Sequence, residues 1–256
     1  MTDTEMVERI GIRVPTMDEP WHWLAKGWVD LWRAPIVSLS YGGVFVLVGL
    51  VGTVGLWLAQ WEALVPMAAA GFALLGPILA IGLYEISRRL EIGQPVSFRD
   101  VILPSTAAPL QLGFMAFLLL FIYLVWLRLA TLLIALFIYG HFIEFADAVR
   151  FGLSTPDGLS LIVTGTIVGG VLAFITFAIS VLSIPILMQR DVDAMTAIAA
   201  SVEAVIRAPG PMLLWAWLIA VLTALGIATF FVGLIVVFPL IGHATWHAYR
   251  STIDAG

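Results

Sequence analysis

The chain has 256 residues, of which 61% are hydrophobic and only 11% charged, and its mean hydropathy is +1.06. One water-facing core cannot hide that much apolar surface, so lipid is the expected solvent. The absence of cysteine excludes disulfides, thiolate metal sites and cysteine nucleophiles, and a net charge of -5 argues against a nucleic-acid partner.

In chain order, residues 1–20 form a polar, acidic tail without the apolar stretch of a cleaved signal peptide. Membrane spans are predicted at about Ile36 to Gln60, Leu64 to Ser87, Gln111 to Tyr139, Leu159 to Met188, Pro211 to Gly226 and Thr229 to Ala248. Each run approaches or exceeds the roughly 20 apolar residues that cross a hydrocarbon core. The last two form one stretch too long for a single crossing, with Gly226 or Gly233 as expected turning points.

The basic residues orient these spans. With the N-terminus inside, the cytoplasmic segments hold Arg9, Arg13, Lys26, Arg33, Arg88, Arg89, Arg99, Arg190, Arg207 and Arg250, against Arg150 alone outside. Five or seven spans would place Arg190 and Arg207, or Arg250, on the wrong side. The expected topology is therefore six helices with both termini cytoplasmic.

An internal repeat is visible. Leu24-Ala25-Lys26-Gly27 through Arg33-Ala34-Pro35 can be laid over Ile198-Ala199-Ala200-Ser201 through Arg207-Ala208-Pro209, each run resembling a short interfacial helix that leads into a span. Pro77, Pro185 and Pro239 recur at similar depth and are expected to kink their helices. The predicted fold is an all-α integral membrane bundle: three hairpins with cytoplasmic interfacial helices, in pseudo-repeat units 21–89, 96–190 and 194–250 within a membrane domain 21–250, then a tail 251–256.

Ser183-Ile184-Pro185-Ile186-Leu187, Arg190-Asp191-Val192-Asp193, Ala197, Ser201, Val202 and the run Ala208 to Pro211 leading to Trp215 resemble a family of bacterial integral membrane proteins. Trp126-Leu127-Arg128-Leu129-Ala130 shares the likeness, which extends from about Trp21 to Arg250. The family is of unknown function, and some members carry the label of cytochrome c oxidase subunit I. The resemblance implies a fold and a compartment, a bacterial inner membrane, but no activity and no site residues. Haem–copper oxidase chemistry needs about six histidine ligands. This chain has four, His22, His141, His243 and His247, with His141 expected at the opposite face from the rest. A catalytic oxidase subunit is thereby excluded.

The candidate polar residues are Arg128, Glu85, His243 and His247. Arg128 falls inside a span, where a charge is costly unless it faces water, protein or a partner. Glu144 and Asp147 are its expected external partners; otherwise it snorkels to the interface beside Trp126. His243 and His247 stand four apart on one helix face, a spacing used by metal sites. Under the repeat, Glu85 is the counterpart of His247 and would complete a cluster able to relay protons. The bland alternative is that both histidines belong to an interfacial belt with Trp246 and Tyr249. No catalytic arrangement, cofactor or metal site is expected. The preferred function is a non-catalytic accessory or assembly component of a membrane complex, with the respiratory one that the oxidase label names as the first candidate. The bilayer and other membrane subunits are the expected partners, and a homo-oligomer is left open. The alternative is a transporter or channel for a small solute or ion.

Overall fold

A computed structural model describes residues 10–61, 64–138 and 148–253. Among them the helices are α1 (Glu19–Arg33), α2 (Pro35–Leu58), α3 (Val65–Leu79), α4 (Ile81–Glu91), α5 (Phe98–Ile102), α6 (Pro109–Ile138), α7 (Ala148–Ser154), α8 (Pro156–Ser180), α9 (Ser183–Gln189), α10 (Ala194–Arg207), α11 (Pro209–Ala228) and α12 (Leu234–Thr252). Proline opens α2, α8 and α11, where its missing N–H would have no helical partner anyway. Side-chain caps start others: Asp193 accepts from the Thr196 amide before α10, and Ser97 and Asp100 cap α5 reciprocally.

Among the described residues, five segments are long and apolar enough to cross a membrane: Pro35–Leu58, Met67–Glu91, Pro109–Ile138, Pro156–Gln189 and Pro209–Ala228. In α2 and α6 only 17% of the most apolar window is buried, so these helices turn their side chains outward. Such a surface is costly in water and natural in lipid. The sixth predicted span corresponds to α12, which is not among the five because His243, His247 and Arg250 make its second half polar. The turn before α12 falls at Thr229–Gly233. There Phe230 and Phe231 take positive φ values of 53° and 67°, while the Thr229 hydroxyl donates to the Gly226 carbonyl and accepts from the Gly233 amide.

The main core lies at one end of the bundle, where Trp23, Leu83, Ile186, Trp215 and Trp246 are buried together. Each short helix there packs on the helix that closes another hairpin: α5 on α4, α10 on α8 and α9, and α1 on α12. The residues before the two Ala-Pro joints share one backbone conformation. Ala34 has φ −132° and ψ 56°, and Ala208 has φ −128° and ψ 58°.

Two of the three prolines break their helices. The chain parts between α3 and α4 just after Pro77 and between α8 and α9 just before Pro185, whereas α12 runs through Pro239. Other helices supply the missing bonds. The Tyr41 hydroxyl donates to the Leu79 carbonyl at 2.7 Å. Ser201 of α10 inserts its hydroxyl into the α8–α9 ladder, accepting from the Leu182 amide at 3.2 Å and donating to the Ala178 carbonyl at 2.8 Å. Ser201→Ala removes both bonds from a buried site, so it is expected to cost about 2 kcal/mol in the unfolding free energy. Ser201→Thr, which keeps the hydroxyl, should recover part of the loss in the same assay.

Candidate functional site

At the core end of the bundle, three helices bring polar side chains to a fourth, α12. His243 and His247 lie one turn apart on its face, as their spacing requires. His243 is fully buried, with Nε2 3.0 Å from Ser38 Oγ on α2 and Nδ1 2.8 Å from Ser87 Oγ on α4. His247 Nε2 donates to Asp30 Oδ2 of α1 at 2.7 Å. Ser87 also faces the Asp30 carboxylate. One proton arrangement gives every group a partner. The Ser38 hydroxyl donates to His243 Nε2, His243 Nδ1–H donates to Ser87, and Ser87 donates to Asp30, which also accepts from His247.

Asp30 sits on the buried side of α1, among Pro20, Trp23, Gly27 and Leu31. Burial alone pushes its carboxyl pKa upward, but the hydrogen bond and charge of His247 and the Ser87 hydroxyl outweigh burial and hold it below the ordinary carboxylate value. A lowered folded-state pKa means that stabilisation is fully present above the unfolded value and lost as pH falls through the folded one. We expect the stability gap between wild type and Asp30→Asn to shrink as pH falls below about 5 and to close as it falls further through the folded-state value, below about pH 4. Unfolding midpoints measured across that range check this, and a gap that widens on acidification contradicts it.

Glu85, also fully buried, is spent locally. Arg88 binds it in a fork at 2.7 and 2.6 Å, and Arg89 Nε donates to it at 2.8 Å. Arg89 reaches on to Asp100 of α5 at 2.8 Å. Around the rim, Glu91 accepts from Trp246 Nε1 at 3.1 Å and from Arg250 Nε at 3.0 Å.

The structure thus joins His243 and His247 in one cluster, but the acid that meets them is Asp30 and not the expected Glu85. Asp30, Ser38 and Ser87 were missed by sequence reading. The available signal was an acid on the apolar face of an amphipathic helix. Arg128 is exposed on α6, with no partner among the described residues; its expected partners Glu144 and Asp147, like His141, lie outside those residues. Among the described residues, no three His, Asp or Glu side chains are placed to hold one metal ion.

Helical in nearly all its described residues, with several long helices of outward apolar surface, the chain is an integral membrane protein. Its residues 64–189 match the model of the family described as "Predicted integral membrane protein (DUF2189)". The match takes in Trp126–Ala130 and Ser183–Leu187 and ends just before Arg190. It also divides the cluster, with Glu85 and Ser87 inside the matched stretch and Asp30, Ser38, His243 and His247 outside it. No curated protein and no solved structure matches the chain.

Proposed function

We propose that the chain is a six-span protein of a bacterial inner membrane with both termini cytoplasmic, acting without catalysis as an accessory or assembly component of a membrane complex. The distribution of basic residues supports six crossings, with the apolar first half of α12 completing the last hairpin. The common backbone of the Ala-Pro joints and the packing of α1, α5 and α10 support three repeated units.

One observation carries the non-catalytic reading. Among the described residues, the buried acids and histidine are each held by neighbours: His243 by Ser38 and Ser87, Asp30 by His247, and Glu85 by Arg88 and Arg89. The surface left for a partner includes Trp28 and Trp32, packed edge to face on the outer side of α1, with 46% and 53% of their area exposed. Gentle extraction of the tagged protein, followed by mass spectrometry, should recover stoichiometric membrane subunits; respiratory subunits are the first to look for. A Trp28→Ala, Trp32→Ala variant should fold and lose them.

A second reading, a transporter or channel for a small solute or ion, is favoured by the broken helices at Pro77 and Pro185, since interrupted spans are where many carriers bind substrate. It predicts a clean homo-oligomer that conducts a solute in liposomes. Arg128→Ala or Glu85→Ala would then abolish flux without unfolding the chain.

A further inference from the structure

The two Ala-Pro joints differ in one charge. In the second, Arg207 is paired with Glu203 one turn earlier on α10. In the first, the aligned position is Val29, half exposed on α1, and Arg33 has no ion-pair partner among the described residues. Arg33 instead lines a groove of about 390 Å³ between the α1–α2 joint and the end of α4, with Pro35, Val37, Leu90, Gln94 and Val96. Pro95, on the same wall, gives its carbonyl to Arg89 at 3.2 Å. Glu85 and Asp100, the acids that Arg89 binds at the end of α4, are thereby already paired. The groove therefore combines apolar walls with a basic rim, and it opens where α2 enters its apolar run.

We propose that this groove binds one anionic phospholipid, its phosphate on Arg33 and the first part of its chains against Pro35, Val37, Leu90 and Val96. The charge favours an anion, and the apolar walls favour a lipid over a free phosphate. A zwitterionic lipid would bring an ammonium group to the same basic rim and fit less well. The inference rests on the six-span topology proposed above, with α1 lying along the cytoplasmic interface as its sequence predicts.

The test uses the full-length protein in detergent, titrated with phosphatidylglycerol or phosphatidylcholine and read by native mass spectrometry. Wild type should retain one phosphatidylglycerol at about tenfold lower concentration than phosphatidylcholine, the size expected of one charge-assisted contact. Arg33→Gln should remove most of that preference. Val29→Glu should do the same while keeping the arginine, because it restores the internal partner present in the second joint. Arg207→Gln should leave the preference intact. A preference that is absent in wild type, or that survives Arg33→Gln, overturns the proposal. Displacement of the lipid by equimolar glycerol phosphate overturns the assignment to a lipid. The placement of α1 is read separately, from loss of fluorescence quenching by brominated lipids in the W28F, W32F variant, so its failure can be told from failure of the site.

Discussion

His247→Leu is expected to lower the unfolding free energy by about 3–5 kcal/mol, because it strands a buried carboxylate. Asp30 has 7% of its side chain exposed, and it accepts a 2.7 Å bond from His247. Taking one partner from a buried pair leaves the desolvation cost of the other uncompensated, whereas replacing both with apolar groups removes that cost. The double variant Asp30→Leu, His247→Leu should therefore recover most of what His247→Leu loses. A double-mutant cycle in thermal or denaturant unfolding measures this, and strictly additive losses would show that the two residues do not act as a pair. The pair also fastens α1 to the bundle. Limited proteolysis of His247→Leu should accordingly cut first in the segment 13–34.

Gly42→Ala is expected to cost about 3 kcal/mol, at the upper end for overpacking. A methyl group there would lie 2.5 Å from the Ile235 carbonyl oxygen and 3.0 Å from Pro239 Cδ on α12. These are backbone and ring atoms that cannot rotate away. Gly27→Ala meets the same obstacle, 2.7 Å from the Ala244 amide nitrogen. Gly52 and Gly55, on the same helix as Gly42, have nothing within 4 Å of the place a methyl group would take. Alanine at either should be neutral or stabilise by up to about 1 kcal/mol, since glycine is the more flexible residue in the unfolded chain. Equal effects at Gly42 and Gly52 would mean that α2 does not pack on α12 as described.

The apolar segments were legible in the sequence because length and hydropathy are local properties. α2, α6, α8 with α9, and α11 fall within a few residues of the predicted spans. The Ala-Pro joints were legible for a similar reason, since proline fixes where a helix starts. Glycine spacing by itself is only partly informative. Gly42 makes a close helix contact, but Gly43, Gly52, Gly165 and Gly170 have open space beside them, because small-residue spacing does not say which face meets a neighbour.

The cluster was half legible. The i, i+4 spacing put His243 and His247 on one face, and the placement of Glu85 within the bundle agrees with its burial. What sequence could not supply was which side chains from other helices would meet that face. Ser38 lies 205 positions from His243, and Asp30 lies 217 from His247. Repeat symmetry assigned Glu85 to the histidines, but two arginines on its own helix satisfy it first. Symmetry says nothing of which side chain reaches a buried acid first.

The proposed topology places the Asp30–His247 cluster, α1 and both termini on the cytoplasmic side of six crossings. Because the chain has no cysteine, single cysteines can report this without background: at Gln94, at Asp191 and appended after Gly256 on one side, and at Gln60 and Asp157 on the other. In sealed, right-side-out vesicles a membrane-impermeant maleimide should label Gln60→Cys and Asp157→Cys and spare the other three until the membrane is opened. Labelling of the appended cysteine together with Gln60→Cys and Asp157→Cys would mean that α12 does not complete a sixth crossing, and would contradict the account.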